Sequence, residues 1–516
     1  MRRYSITDEE IKRALEDADG VISKAASSLN IPRKTFSNWV HKMVTICDLK
    51  PDTELNFRPK KKARYIITSV QNNTDIHTPF FNNLLKLANY YDAQLLIIPI
   101  RYKNVNAYIN QEDTEVWWPP QCAKYYLNDT VNLNSNLAVL GDLKICATAS
   151  QPLSGLETMA GRKSIIVGHP KVSLRMVATP SWAFPKQMQT TGSISLRNYS
   201  VSKAGKLADE AHKLAATIVE VQDDLFWTRQ ITATQDGSFY DLNLFFGVNE
   251  DKPKQTNVAG LSLGDIHVGF TDPEVMEATW CEGGLVDLLK PDNIYLHDVL
   301  DFYSQSHHNK NNLFTRFLRH KQAKSNVAAE LQNVLHHHNM YWGRTEANIF
   351  YIPSNHHDHL TRWLNDTSGK DDIENSLIYH ELMYKSLSHI QSLQTIPNPL
   401  ELFLRGKLIN ENKTFFPGRN EKVELLGNAI VHGDKGANGA KPSARSFAKS
   451  GYKFIYGHTH TNSIDGGSTG HGTNSLLDLD YNQGLTNWIH SDTVIYLDGN
   501  TAILNCIKGR FYVFPR

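Results

Sequence analysis

The sequence predicts an α/β protein of more than one unit, preceded by a small all-α unit. Three observations support this. The chain has 516 residues, more than the roughly 250 to 300 at which one hydrophobic core stops growing. From residue 64 a short strand, a helix and a buried strand follow one another, as in a βαβ unit. In the second half, five apolar strands each end in Asp, His or Asn.

Composition places the chain among ordinary globular proteins, with 41% hydrophobic and 21% charged residues. The formal net charge is only +1, so any contact with nucleic acid must come from a local basic surface. Five scattered cysteines, no signal peptide and no apolar stretch of about 20 residues predict a cytoplasmic protein without membrane contact. Whether it forms a homo-oligomer stays open.

Residues 1–45 predict a small helical unit. Thr7 and Glu10 make a capping-box pattern, Ser23 to Leu29 reads as a second helix, and Pro32 suits the first turn of a third. This order resembles helix-turn-helix modules, whose basic recognition helix enters the major groove of DNA. On that resemblance the DNA-contacting residues are Arg33, Lys34, Asn38 and Lys42. A plain helical hairpin used for protein contact is the alternative.

Residues 46–63 predict a basic linker, and residues 64–250 an α/β domain without a Gly-rich phosphate loop. Strands are expected at 65–70, 93–100, 137–140, 164–167 and 216–221, with a helix at 79–91. Asn72, Asn73 and His77 follow the first strand, where open α/β sheets bind ligands. A loop and helix N-cap is the simpler interpretation of these three residues. The role of this domain is not readable from the sequence.

The second half, residues 256–516, holds the strongest signal. Five strand-like segments end in polar side chains that bind metals: GDIH at 264–267, HDVLD at 297–301, SNHH at 354–357, VHG at 431–433 and GHTH at 457–460. Such groups are costly to bury unless they bind something. The repetition therefore predicts a metal centre.

These blocks resemble those of the calcineurin-like metallophosphoesterases, which run D-x-H, GD-x-x-D, GNH, H and GHTH. The resemblance implies a two-sheet β-sandwich flanked by helices over 256–516. His297 and Ser354 stand where the family has glycine, which leaves the local turn geometry open.

The resemblance also implies roles. Asp265, His267 and His460 would hold one metal, Asn355, His432 and His458 the other, and Asp298 would bridge them. Two divalent transition metals are expected, manganese first, with iron or zinc as alternatives. A metal-bridging hydroxide would attack phosphorus, and His356 would protonate the leaving oxygen. Asp301 would orient His356 or bind substrate.

The substrate is less constrained, because the superfamily includes protein phosphatases, nucleotide hydrolases and nucleases of the SbcD type. The N-terminal unit and the basic linker favour a DNA phosphodiesterase, that is, a nuclease. The overall layout resembles proteins encoded by large tailed phages, which would act in the host cytoplasm. The alternatives are a phosphomonoesterase acting on protein or nucleotide, and a DNA-binding protein that keeps the domain as a scaffold.

One further segment bears on the substrate. Tyr481, Asn482, Trp488 and His490 could form an aromatic wall for bases, with core packing as the alternative.

Overall fold

The computed structural model describes residues 6–18, 22–36, 39, 59–102, 117–159, 161–306, 312–440, 442–479, 482 and 484–512. Asn38, Lys42, Tyr481 and most of the expected linker lie outside these residues. Among the helices that it describes, none is long and apolar enough to cross a membrane.

The described strands, in chain order, are β1 Lys62–Gln71, β2 Gln94–Ile100, β3 Thr130–Asn132, β4 Leu137–Leu140, β5 Ser164–Val167, β6 Leu174–Val177, β7 Thr179–Pro180, β8 Lys186–Thr190, β9 Ala215–Gln222, β10 Leu225–Thr232, β11 Phe239–Asp241, β12 Leu244–Phe246, β13 Lys254–Gln255, β14 Gly260–Ser262, β15 Asn293–Leu296, β16 Asn348–Tyr351, β17 Thr414–Phe415, β18 Glu424–Leu425, β19 Asn428–Val431, β20 Lys453–Tyr456, β21 Ser463–Asp465, β22 Ser468–Gly470, β23 Leu485–Thr486, β24 Ser491–Ile495 and β25 Thr501–Asn505. The α-helices span Asp8–Asp17, Ile22–Ser28, Thr78–Tyr91, Lys203–Ala211, Pro273–Trp280, Leu285–Leu289, Leu313–Lys321, Val327–Met340, Asn355–Asp366, Ser376–Leu393, Pro399–Leu404 and Ala444–Ala448. Short 3-10 helices span Pro120–Tyr125, Tyr303–Gln305, Trp342–Arg344, Ile373–Asn375, Glu411–Lys413 and Ala437–Gly439.

The N-terminal residues form a helical unit with its own core. Thr7 caps the first helix: its hydroxyl accepts from the Glu10 N–H at 3.3 Å, and the Glu10 carboxylate accepts from the Thr7 N–H at 2.8 Å. The capping box is therefore present as expected. The buried residues of this core are Ile11, Ala14, Ile22, Ala25, Ala26, Ile31 and Phe36.

A four-stranded sheet follows, in the order β10-β9-β1-β2. Strands β1 and β2 are parallel and joined by the helix Thr78–Tyr91, which confirms the expected βαβ unit. His77 caps this helix, since its Nδ1 accepts from the Phe80 N–H at 3.2 Å. The simpler interpretation of His77 as an N-cap is thus confirmed.

A six-stranded sheet, in the order β17-β16-β15-β14-β24-β25, lies in the second half of the chain. Strands β14 to β17 are parallel, and β24 and β25 run antiparallel to their neighbours. The carboxyl ends of β14 to β17 therefore meet at one edge of the sheet.

A ten-stranded sheet has the order β18-β19-β20-β22-β21-β6-β8-β5-β4-β3. Strands β19 and β20 are parallel, like β14 to β17. The antiparallel pairing of β21 with β6 joins strands from either side of the expected boundary near residue 250: Ser463 lies opposite Arg175, and Ile464 opposite Leu174. The two stretches of chain thus share one sheet.

The six-stranded and ten-stranded sheets pack face to face. A buried cluster combines Tyr295 and Ile495 from the first sheet with Ile430 and Ile455 from the second. The other face of the six-stranded sheet packs against helices through residues such as Leu331. The architecture is therefore mixed α/β, with two packed sheets and helices on one side. The ten-stranded sheet takes strands from before residue 250 as well as after it, whereas the resemblance implied a sandwich within residues 256–516.

Candidate metal centre

The residues of the five blocks follow five strands. Asp265 comes three residues after β14, Asp298 two after β15, Asn355 four after β16, His432 directly after β19, and His458 two after β20. Three of these strands belong to one sheet and two to the other. The centre is therefore assembled where the ends of two packed parallel stretches meet.

The backbone at these strand ends is unusual. His267, Asp298, His458 and His460 all have positive φ, at 47°, 43°, 64° and 53°. Such conformations are costly for residues other than glycine and persist where the surrounding structure enforces them, often at functional sites. The turns therefore aim these side chains inward at a cost in backbone energy.

Asp265, His267, Asp298 and His460 form the first group, and all four are buried. Nε2 of His460 lies 3.1 Å from Oδ2 of Asp265 and 3.2 Å from Nε2 of His267. Nε2 of His267 lies 3.7 Å from Oδ2 of Asp298. With ligand bonds of about 2.1 Å, neighbouring ligand atoms around a metal ion stand about 3 to 3.5 Å apart. The distances of 3.1 and 3.2 Å match that spacing, and the distance of 3.7 Å is slightly longer.

Asp298, His432 and His458 form the second group. Nε2 of His432 lies 3.1 Å from Oδ2 of Asp298 and 3.1 Å from Oδ1 of Asn355. The imidazole rings of His432 and His458 lie 5.1 Å apart. Asp298 belongs to both groups, so its carboxylate stands between them.

The buried atoms in these groups fit metal ions. Oδ1 of Asp265, Oδ1 of Asp298 and Nδ1 of His460 accept or donate no hydrogen bond among the residues that the structure describes. Buried polar atoms are rarely left unpaired. Two imidazole nitrogens 3.2 Å apart, as in His267 and His460, repel each other unless a proton or a cation lies between them. These His and Asp groups could hold metal ions.

Asp301 holds two histidines in place. Nδ1 of His267 donates to Oδ1 of Asp301 at 2.8 Å, which leaves Nε2 of His267 facing the first group. Nδ1 of His356 donates to the main-chain carbonyl of Asp301 at 2.7 Å. A carboxylate behind a metal-binding histidine fixes its tautomer and ring orientation. Asp301 is thus placed to orient His267 as well as His356.

Neighbouring charges at the centre shift the pKa values of its carboxylates and histidines. Burial raises the pKa of Asp298, but His432, His356 and His267 outweigh it and hold this pKa well below the usual range. Burial lowers the pKa of His267, but its hydrogen bond to Asp301 and the charge of Asp298 raise it to about 9. Asp298 is therefore ionised, and its negative charge is balanced by the histidines around it.

The structure accommodates both residues that stand where the family has glycine, Ser354 and His297. Ser354 has a φ of −131°, which needs no glycine, and its hydroxyl caps the helix Asn355–Asp366 by accepting from the His357 N–H. His297 is fully buried, and its Nε2 lies 2.9 Å from the Ser262 hydroxyl. Gly457 does require glycine, because a Cβ there would overlap Oδ1 of Asp265.

Two buried histidines lie behind the centre, and the sequence had indicated no functional role for either. His297 and His471 lie with ring centroids 4.9 Å apart and form a third group with Asp265. Within the described part of the chain, neither ring nitrogen of His471 has a hydrogen-bond partner, and burial lowers its pKa to about 4. His471 directly follows β22 in the segment STGHGTN. A histidine among small residues at a strand end is the local pattern that could have indicated it.

The residues expected to contact DNA are only partly described. Lys34 is exposed. Arg33 pairs with Asp75 at 2.5 Å, which joins the N-terminal unit to the loop after β1. Asn38 and Lys42 lie outside the described residues. Contact with DNA stays a prediction for all four.

The expected aromatic wall is also present only in part. Trp488 and His490 line a cavity, and Trp488 contacts His460 with ring centroids 4.1 Å apart. Asn482 instead closes a turn, with its Oδ1 accepting from the Leu479 N–H.

Comparison with known proteins finds one relative over most of the chain. Protein A1 of Escherichia phage T5 is 32% identical over 469 residues, covering 88% of this chain and 83% of that protein. No protein-family model matches. Among solved structures, Vps29 of Chaetomium thermophilum, alone and complexed with a cyclic peptide, aligns over 35% of this chain and 94% of its own at 9% identity. The TM-scores of 0.20 and 0.21 are too low to infer a shared fold.

Proposed function

The chain belongs to the family of Protein A1 of Escherichia phage T5, and we propose that it is a dinuclear metal-dependent phosphoesterase of the calcineurin-like type that hydrolyses DNA phosphodiesters. The observation that carries the proposal is the pair of buried His and Asp groups that share Asp298. A carboxylate common to two cation sites is what a two-metal phosphoesterase requires.

The proposed ligands divide as the five blocks imply. Asp265, His267 and His460 would hold one ion, Asn355, His432 and His458 the other, and Asp298 both. Mixed imidazole, carboxylate and amide ligands suit manganese, iron or zinc. Ions held there would supply an activated water nucleophile and neutralise charge on the phosphate oxygens.

The chain's own contribution to the chemistry is orientation and proton transfer. Asp301 fixes the His267 tautomer, which keeps the Nε2 lone pair directed at the centre. His356 donates through Nδ1 to the Asp301 carbonyl, so its Nε2 is the atom that can deliver a proton to a leaving oxygen. Its side chain is 20% exposed, which leaves it in reach of a bound substrate.

DNA is the proposed substrate for two reasons. The N-terminal unit carries the exposed Lys34, and Lys60, Lys61 and Lys62 are exposed in the basic stretch that follows it, which suits contact with a phosphate backbone. An aromatic cavity also adjoins the centre at His460 and Trp488. The alternative, a phosphomonoesterase, would need neither feature.

The test is hydrolysis by the full chain of bis-p-nitrophenyl phosphate, of p-nitrophenyl phosphate and of DNA. We expect turnover of the diester and of DNA with Mn²⁺, abolished by exhaustive chelation and restored by added metal. Turnover of the monoester alone would favour the alternative. Activity that survives complete removal of metal would contradict the mechanism.

A further inference from the structure

A cavity of about 730 Å³ opens beside the metal centre. Its walls come from two distant parts of the chain, residues 179–185 on one side and residues 476–478 and 486–490 on the other, together with residues near 272 and 507. Ligand pockets commonly measure about 300 to 1,000 Å³, so the space suffices for a nucleoside. Its position matters because Trp488, in its wall, touches His460 of the centre.

The two walls are held together by a short β-ladder. Strand β7 pairs with β23, so that Thr179 lies opposite Thr486 and Pro180 opposite Leu485. Trp182 and Trp488 each follow this ladder by two residues. One side of the cavity is well packed, because Ile489 and Ile507 are buried in a cluster that Phe184 packs against. The cavity is therefore built jointly by the first and second halves of the chain.

Two tryptophans, Trp182 and Trp488, line the cavity. Trp182 is 84% exposed, a large apolar surface to leave in water on a loop that a β-ladder anchors. Trp488 is half-buried and lies between the cavity and His460. Flat aromatic side chains of this kind bind nucleic-acid bases by stacking, at about 1 to 3 kcal/mol per base.

The charges in the cavity indicate which part of a nucleotide enters it. Among the described residues, Asp272, Glu274 and Asp478 line it, and Lys508 is the one lysine or arginine that does. Acidic groups repel a phosphodiester but accept hydrogen bonds from the amino groups of bases. The cavity therefore suits an uncharged heterocycle, while the phosphate belongs at the metal centre.

We propose that this cavity is a base-binding subsite that holds the unstacked base of a nucleotide next to the scissile phosphodiester. The inference rests on the proposed function and adds to it a substrate class: single-stranded or frayed DNA in preference to intact duplex. A base inside a duplex is stacked on both faces and is not available to Trp182. The subsite also gives residues 64–250 a role, since they supply Trp182.

The test compares binding by full-length variants in EDTA, where no strand is cut. The ligands are a labelled oligodeoxycytidylate of about five nucleotides, whose bases carry an amino group, and an abasic sugar-phosphate strand of the same length. We expect Trp182→Ala to weaken oligodeoxycytidylate binding about 10-fold and to leave abasic binding unchanged. Trp182→Phe should restore most of the affinity. Tyr452→Ala, which removes another exposed aromatic residue, should change neither.

The outcome that overturns the subsite is equal affinity of the wild type for the two strands, or a Trp182→Ala variant that distinguishes them as well as the wild type does. Because this readout is binding without metal, it is independent of hydrolysis. A wild type that prefers bases but cleaves no ester would keep the subsite and overturn the proposed function. A wild type that cleaves DNA but binds the two strands equally would overturn the subsite and keep the proposed function.

Discussion

Nδ1 of His267 lies 2.8 Å from Oδ1 of Asp301, and both side chains are buried. This hydrogen bond commits the His267 proton to Nδ1 and directs Nε2 to the metal centre. Carboxylates in this position are typically worth 10- to 100-fold in metal affinity. Asp301 is therefore a positioning residue whose effect should appear in metal binding before it appears in turnover.

Asp301→Asn should lower the affinity for Mn²⁺ by about 10- to 100-fold while preserving the fold. The measurement is titration of metal-free protein by calorimetry, followed by turnover at saturating metal. Asp292→Asn removes an exposed aspartate near the same sheet and serves as control. Unchanged Mn²⁺ affinity in Asp301→Asn would show that His267 is not a ligand oriented by Asp301.

Asp298→Ala and His458→Ala should lose metal and turnover together, because Asp298 belongs to both groups and His458 to the second. We expect metal affinity to fall by at least about 100-fold, more than for an orienting residue. Bound metal is counted by mass spectrometry of dialysed protein. His336→Ala, at an exposed histidine, should retain the wild-type metal content. Full metal content in Asp298→Ala would exclude it as a shared ligand.

His356→Ala should keep its metal content and lose turnover by about 10²- to 10⁴-fold, the usual contribution of a general acid. The loss should be larger for DNA than for bis-p-nitrophenyl phosphate, since p-nitrophenolate leaves more readily without a proton. Rates for both substrates are compared at saturating Mn²⁺. An equal loss for the two substrates would argue against proton donation, and loss of metal would place His356 among the ligands.

Lys34→Ala should weaken DNA binding without affecting hydrolysis of the small diester. A lost phosphate contact lowers the slope of log affinity against log salt by about 1. DNA affinity is measured at several salt concentrations beside Lys24→Ala, which removes an exposed lysine of the second helix. Should Lys34→Ala and Lys24→Ala show the same slope as the wild type, the N-terminal unit serves another partner.

Asp492→Asn should change how stability depends on pH. Burial raises the pKa of Asp492 to about 7, although the Gly264 N–H and the Asn474 amide partly oppose this. A raised carboxyl pKa gives stability that is present below pH 4 and is lost as pH rises through 7. From pH 4 to 8 the wild type should lose up to about 4 kcal/mol relative to the variant, at about 1.4 kcal/mol per pKa unit.

Urea denaturation of the metal-free proteins at several pH values checks this. Above pH 5 the two curves of unfolding free energy against pH should diverge. The free energy of unfolding of the variant should increase relative to that of the wild type. Parallel curves would mean that Asp492 titrates near its ordinary pKa.

Local patterns predicted much of this structure. Leu137–Leu140 and Ser164–Val167 appear as strands with the expected bounds, because β-branched and apolar runs are local signals. The ends of the five blocks lie close together, and the metal-binding roles that the resemblance implies for them stay a prediction. The polar helix that contains His336, His337 and His338 favours a solvated face for all three, but His338 is buried and bonds to Tyr351 and the Ile409 carbonyl.

Features that depend on distant pairing could not be predicted in this way. The contact of Asp301 with His267, the burial of His471 beside His297, and the lining of one cavity by both Trp182 and Trp488 each depend on how strands far apart in sequence pack. No periodicity within a window of a few residues encodes such distances.

The pairing of β6 with β21 has a practical consequence for dissecting the molecule. A fragment that begins near residue 256 would keep every proposed metal ligand, yet it would expose the backbone donors and acceptors of β21 as an open sheet edge. Such edges template aggregation. Cutting the chain at the polar stretch near residue 250 is therefore expected to yield insoluble protein, and the metal centre is best studied with residues 64–250 attached.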